Sequence, residues 1–375
     1  MGPSNKQRLR VTFVLPSVRG NLSGGARVVA TFADRLQRRG HTVNLVSLPE
    51  TRLNLRTKLK SLLDRQGWPR VPQDSYFDGI SVPHRVLESV RPLIDDDVPH
   101  SDVVVATWWQ TAEWVAKLSP SKGAKAYFIQ HHEVFDYLPI ERVKATWRLP
   151  LYKITVSKWL VELAAQEYGD PQTWLAPDSI DTDLFRAPPR GRQTQPTVGL
   201  LYSTVGWKGV AVSLRAIELV RNRMPGLRVV AFGAEPVAEH LPLPPNSTFH
   251  YRPSQSAIPG LYASCDVWLC ASYVEGNHLP PREAMACRCP VVSTSVGGPV
   301  DVIETGKNGF LVPVGDPEML ANRLFDVLNL DEAAWRVMSD AALASVTRYT
   351  WDDATNLFEN ALYDVIKCDS LSSLQ

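Results

Sequence analysis

The sequence predicts an α/β protein built from two doubly wound domains, and three observations lead there. Its 375 residues exceed what one hydrophobic core usually supports. Short apolar runs bounded by turns alternate with helical patterns along most of the chain, the order of parallel strands and their crossover helices. One proline-rich stretch without apolar period, APPRGRQTQP at 187–196, interrupts that order near the middle and reads as a linker. The expected domains are therefore 1–186 and 187–350.

The first domain opens with RVTFVL at 10–15, an apolar run of the kind a buried parallel strand needs. A loop ending NLSGGAR leads into a helical pattern through Arg39 that Gly40 closes, and HTVNLVS supplies the second strand. This order predicts a ligand-binding switch point at the glycine loop, where Gly24 and Gly25 either admit a ligand to the backbone or simply make the turn. Over 53–65, Leu55, Leu59, Leu62 and Leu63 share a helical stripe among Arg56, Lys58, Lys60 and Arg65. Such a basic amphipathic helix packs its stripe inward or lies on an anionic membrane.

DVVVA at 102–106 is a further buried strand, and Thr107, Trp108 and Trp109 follow its carboxyl end, where open sheets bind ligands. The two tryptophans suit either an acceptor pocket or packing between domains. KAYFIQHHE repeats the pattern and sets His131, His132 and Glu133 at a strand mouth. Asp95, Asp96 and Asp97 resemble a metal-binding run but sit in a polar loop, and solvation is the preferred reading. After the linker, TVGLLY, LRVVAF, STFHY, DVWLC and PVVST alternate with helices and give the second domain.

The most informative stretch is YVEGNHLPPREAMACRCPVVSTSVGG, from Tyr273 to Gly298. Pro280 and Pro281 suit the first helical positions, because their φ is already helical and the missing N–H is no loss there. The helix start and the loop of Gly276, Asn277, His278 and Leu279 predict an anion site fit for a diphosphate. Glu275 and Glu283 bracket that site with acceptor-only carboxylates, suited to a ligand rich in hydroxyls. The alternatives are a solvated turn for Glu275 and a capping box for Glu283.

This stretch closely resembles the signature of retaining glycosyltransferases of family 4, nucleotide-sugar enzymes of the two-domain GT-B fold. The resemblance implies two Rossmann-like domains facing a central cleft, with the acceptor bound by the first and the donor by the second. It implies catalytic roles for Glu275 at the transferred sugar, for His131 at the strand mouth and for Lys208 at the diphosphate. Glu283 would meet the nucleotide ribose, while Gly24, Gly25, Ser203 and the 276–279 loop would line the donor site. Trp108, Trp109 and His132 would serve the acceptor. The choice between His131 and His132 is open, with His131 preferred.

Two departures from the family pattern stand out. Lys208 and Gly209 fit the end of its G-R-x-x-x-x-K-G segment, but Tyr202 and Ser203 stand where Gly and Arg belong, so one guanidinium clamp is missing. Asp178 and Ser179 replace an Asn-Gly pair before the linker. By the same resemblance the final segment, 351–375, packs back on the first domain. FIQHHE and TWWQTAEW resemble bacterial rhamnosyltransferases within the family, which puts a dTDP-deoxysugar first among donors, ahead of UDP- and GDP-sugars.

Composition bounds the rest. Forty basic against thirty-nine acidic residues argue against a nucleic-acid partner. Neither first βα turn carries G-x-G-x-x-G, which argues against a dinucleotide-dependent oxidoreductase. The five cysteines lack metal-binding spacing and read as buried free thiols. The expectation is a metal-independent transferase with no cofactor besides its nucleotide-sugar substrate, working on a glycan, lipid-linked or small-molecule acceptor. It would be cytoplasmic, and peripheral at the inner face of the membrane on the reading in which 53–65 lies on lipid. The competing class is a sugar-nucleotide binder that has lost catalysis.

Overall fold

A computed structural model describes residues 7–19, 23–50 and 75–372. The basic stripe at 53–65 lies outside the described residues. The chain divides into two units, Met1–Pro177 with Thr355–Gln375, and Asp178–Ala354.

The first unit is a parallel sheet of β1 (Arg10–Leu15), β2 (Thr42–Ser47), β3 (His84–Val86), β4 (Val103–Ala106), β5 (Ala124–Ile129), β6 (Tyr152–Thr155) and β7 (Thr173–Leu175). The strand order is β3-β2-β1-β4-β5-β6-β7. The second holds β8 (Thr197–Leu201), β9 (Arg228–Gly233), β10 (Ser247–Tyr251), β11 (Val267–Cys270), β12 (Val291–Thr294) and β13 (Gly309–Val312). Its order is β10-β9-β8-β11-β12-β13, again parallel. Each sheet therefore reverses its winding beside its first strand, between β1 and β4 and between β8 and β11, and those are the points where doubly wound sheets bind ligands.

The central strands are buried along most of their length, as strands of a sheet covered on both faces are. In the second unit Val198, Leu200, Val229, Val267, Leu269 and Val292 form the heart of the core. In the first, Phe358 from the helix Trp351–Ser372 is fully buried and stacks 4.5 Å from Phe32, with Phe128 edge-on at 5.0 Å. That helix closes the first unit although it is made after the second.

The cut between units falls at 177/178, ahead of the proline-rich stretch expected to divide them. Residues 190–197 are bonded to the second unit instead. Arg190 donates to Cys265 O at 2.6 Å, and the Asp266 carboxylate accepts from the Gln193 and Thr197 N–H groups at 2.7 and 2.8 Å. Arg192 donates to the carbonyls of Leu328 and Leu330 at the end of a helix. A stretch without hydrophobic period is here fixed by polar contacts.

The expectation for Asp95–Asp97 needs correction. These residues form a 3-10 turn in which Asp97 is buried, held by Arg91 at 2.5 Å and by the Ile94 N–H at 3.0 Å. Asp95 accepts from the Ser119 N–H at 3.0 Å. Asp97 is thus an ion-pair node, held by Arg91, by Arg85 and by a backbone donor, while Asp96 is exposed to solvent as expected. Among the described residues no group of His, Cys, Asp and Glu is placed to hold a metal. All five cysteines are free, four buried and Cys368 half-buried. Among the described residues no helix is long and apolar enough to cross a membrane.

Candidate functional site

In the second unit the site is assembled at the β8/β11 switch point. Past β8 the chain makes a 3-10 turn at Gly206–Lys208 and enters the helix Val210–Arg223 through Gly209, at φ +63°. A Cβ at Gly209 would stand 1.8 Å from the Ala271 carbonyl oxygen, so only glycine lets the turn come this close to the end of β11. The Tyr273 N–H donates to Trp207 O at 2.8 Å and fastens the two segments. Lys208 thereby reaches Glu275, Nζ to Oε1 at 2.7 Å, with its ammonium 4.2 Å from the centre of the Trp207 ring.

Glu275 is buried and carries further partners. The Ser272 hydroxyl donates to Oε1 at 2.7 Å, and His278 Nε2 lies 3.4 Å from the same oxygen. Burial by itself would raise the carboxyl pKa, but His278 and Lys208, with the hydrogen bonds from Lys208 and Ser272, more than offset it and hold it below its ordinary value of 4.5. Glu275 is therefore an ionised carboxylate in a dry, cationic setting, and the solvated-turn alternative is set aside.

The loop carrying Glu275 is braced from three sides. Gly297, at φ +49°, and Gly298 pass so near it that a Cβ on either would stand within 2.4 Å of the carbonyl oxygens of Gly276 or Asn277. The Gly298 N–H donates to Gly276 O at 3.1 Å. Asn277 donates its amide to the Asp178 side chain, and Arg282 donates to Asp178 O at 3.4 Å. Asp178, a departure from the family pattern, thus supports the loop. Thr294 donates to Ser272 O at 2.6 Å.

The helix begins at Leu279 and runs to Ala286, with His278 as its cap in the left-handed region at φ +56°, an uncommon place for a residue with a Cβ. Pro280 and Pro281 are its second and third residues, so two of the four N–H groups expected at the helix start do not exist. The anion site then rests more on the 276–279 loop and on Lys208. Glu283 is buried and accepts from the Tyr262 hydroxyl at 2.9 Å, in place of the capping-box contact. Tyr202 is core, its hydroxyl donating to Leu241 O at 2.8 Å, and Ser203 Oγ accepts from the Val205 N–H at 3.2 Å. No guanidinium stands at either position.

In the first unit, the Ser23 hydroxyl caps the helix Gly24–Arg38. A Cβ on Gly25 would stand in ordinary contact with Gln130 Oε1 at 3.4 Å, so the helix start lies at the mouth of β5. The Thr107 hydroxyl donates to Val14 O at 2.9 Å and ties the ends of β4 and β1. Trp108 is half-buried. Trp109 is 3% exposed, with the Arg142 guanidinium 5.1 Å over its ring. His132 is likewise packed, edge-on to Trp147 and bonded through Nε2 to the Tyr168 hydroxyl at 2.7 Å. Burial lowers its pKa. His131 Nδ1 donates to the His132 carbonyl at 2.9 Å, orienting a half-buried ring at the strand mouth.

Sequence reasoning placed Glu133 at this mouth without giving it a role. It is buried, accepts the Trp109 N–H at 3.1 Å, and burial holds its carboxyl well above the ordinary range. Ser272, Tyr262 and Asp178 were also missed as site supports, since hydroxyl and carboxylate partners far apart in sequence leave no periodic signal.

Residues 195–329, which span the Lys208 and Glu275 segments, match the family model for group 1 glycosyl transferases. This segment carries the group 1 glycosyltransferase signature. The chain is 28% identical over 224 residues to the sulfoquinovosyl transferase SQD2 of Arabidopsis thaliana, covering 56% of this chain and 42% of that protein. It is 29% identical over 213 residues to a D-inositol 3-phosphate glycosyltransferase of Mycobacterium avium, covering 52% and 50%. The chain thus spans about half or less of the length of these curated relatives. Among solved structures it shares the fold of a sucrose-phosphate synthase from Thermosynechococcus elongatus, with a TM-score of 0.73 at 16% identity over 96% of this chain and all of that one. HepE of Anabaena, solved in complex with UDP-glucose, matches with a TM-score of 0.69 at 18% identity over 98% of this chain and all of that one. The fold is therefore that of the GT-B glycosyltransferases, two Rossmann-like α/β domains.

Proposed function

We propose that this chain is a retaining, metal-independent glycosyltransferase that takes a sugar from a nucleoside diphosphate sugar to an acceptor hydroxyl. The observation that carries the reading is the buried, ionised Glu275 held by Lys208, Ser272 and His278 at the β8/β11 switch point. In apo form Lys208 and Glu275 neutralise each other. With donor bound, Lys208 turns its charge to the diphosphate, and the N–H groups of the 276–279 loop share that task, an electrostatic role that grows as the leaving group departs. Glu275 then accepts from the hydroxyls of the transferred sugar, and Glu283, steadied by Tyr262, accepts from the ribose. Within the first unit, His131 and Trp108 are the strand-mouth groups we assign to the acceptor side.

A dTDP-, UDP- or GDP-linked donor fits a site whose contacts are to diphosphate and hydroxyls. UDP gains support from the likeness to HepE, solved with UDP and with UDP-glucose. The rhamnosyltransferase resemblance supports dTDP-rhamnose. The chemistry suits a bacterial surface glycan or a secondary metabolite, with catalysis at the cytoplasmic side where nucleotide sugars are made. The test is release of nucleoside diphosphate from a panel of donors, with and without acceptors and with a chelator. Acceptor-dependent release that survives chelation is expected. Binding without turnover across the panel establishes the degenerate binder instead.

A further inference from the structure

Past β5 the first unit carries an aromatic ladder that begins at His131 and continues into Phe135 and Tyr137, two residues with no part in the reading above. The His131 ring lies 5.0 Å from Phe135, centroid to centroid, and Phe135 lies 5.5 Å from Tyr137 with the ring planes only 8° apart. His131 is half-buried, Phe135 is buried, and Tyr137 at the end is 72% exposed. Exposed aromatics scattered singly need no explanation. This one is stacked on a core residue, so one face of Tyr137 is fixed and the ring is presented to solvent at little further cost in entropy. Asp136, the preceding residue, is also exposed and carries a carboxylate that can only accept hydrogen bonds.

An exposed, stacked ring suits the C–H face of a pyranose, and an exposed acceptor-only carboxylate on the preceding residue suits its hydroxyls. We infer that the His131–Phe135–Tyr137 ladder is a saccharide-binding subsite that holds a neutral sugar unit of the acceptor, leading away from the strand mouth where His131 sits. A membrane surface is the other ligand an exposed tyrosine can meet, but anionic lipid demands a cluster of Lys and Arg. Here the exposed Asp136 and Glu141 accompany the rings, while the basic residues that follow are engaged, Arg142 with Glu113 at 2.6 Å and Lys144 with Glu141 at 3.4 Å.

The acceptor part of this inference rests on the glycosyltransferase reading, but the binding does not. The experiment measures binding of the full chain, and of Tyr137→Ala and Tyr137→Phe, to three probes. These are a panel of neutral oligosaccharides, UDP with dTDP and GDP, and phosphatidylcholine vesicles containing phosphatidylglycerol. Glycan binding should weaken roughly tenfold in Tyr137→Ala and stay within about twofold in Tyr137→Phe, the size of one stacking contact, with nucleotide binding unchanged in both. Wild-type protein that binds no glycan, or Tyr137→Ala that binds as tightly as wild type, overturns the subsite and leaves the donor reading standing. Loss of vesicle binding alone in Tyr137→Ala overturns it in favour of a membrane contact. Tyrosine-dependent glycan binding with no nucleotide binding overturns the donor reading and keeps the subsite.

Discussion

Replacing Gly209 by alanine tests how the site is built. The new Cβ would stand 1.8 Å from Ala271 O, where ordinary contacts begin at 3.4 Å, so the Gly206–Lys208 turn has to move away by more than an ångström. Alanine at φ +63° adds about 1–2 kcal/mol of backbone strain, and the overpacking a further ~1–3 kcal/mol. At about 2–4 °C per kcal/mol for a domain of this size, the melting temperature should fall by roughly 5–15 °C. The same shift carries Lys208 away from Glu275 and from the proposed diphosphate. Gly206 supplies the control from within the turn, because nothing lies within 4 Å of its Cβ position. Gly206→Ala should therefore be neutral or slightly stabilising. The assays are thermal unfolding and titration with UDP, dTDP and GDP for the three proteins. If Gly209→Ala melts and binds as Gly206→Ala does, the close approach of this turn to β11 is not what places Lys208, and the account of the site fails.

Glu275→Gln should reduce turnover about a hundredfold or more, as removal of one preorganised electrostatic partner does; near wild-type rates would refute its catalytic role. Because the folded carboxyl titrates below the unfolded value of 4.5, its stabilising contribution is complete above pH 4.5 and is lost as pH falls through the lowered folded value. The stability gap between wild type and Glu275→Gln should accordingly narrow in acid, as read by urea unfolding across pH. Glu133 has the opposite sign: its folded carboxyl titrates well above 4.5, so the fold loses stability as pH rises from there toward the raised value. Glu133→Gln, which can still accept from the Trp109 N–H, should be more stable than wild type at pH 8 and not at pH 4, and an equal gain at both would remove the ionisation argument. Phe358→Ala should cost the first unit about 3–5 kcal/mol in urea unfolding, a loss below 1 kcal/mol showing that the closing helix is not part of its core.

The fold was legible where strands are long and buried. RVTFVL, HTVNLVS, DVVVA and DVWLC announce themselves because a strand covered on both faces is apolar throughout. The edge strands β3, β7 and β13, of three or four residues each, were not read, since half-exposed strands that short carry neither a run nor an alternation. At the site, the order glutamate, loop, proline-started helix, glycine pair could be read along the chain, and so could Lys208-Gly209. What could not be read was which groups face one another. The Ala271 carbonyl that demands Gly209, the Ser272 and His278 contacts to Glu275, and the Tyr262 hydroxyl on Glu283 all depend on how neighbouring strands set their ends side by side. Trp109 and His132 stayed open between ligand contact and packing, because an aromatic at a strand mouth has the same sequence signature whether it points outward or packs beneath.

The placement of Phe358 has a consequence for how the protein is made. The seven-stranded sheet emerges first from the ribosome, yet the phenylalanine that fills the space between Phe13, Phe32 and Phe128 comes from a helix encoded after the whole second unit. At about 5–20 residues per second, the intervening stretch from Asp178 to Ala354 takes roughly 10–35 s to synthesise. For that interval the nascent first unit has an unfilled aromatic slot, while the second, contiguous in sequence, is free to fold as soon as it appears. The half of the chain that is born first is the one that finishes last.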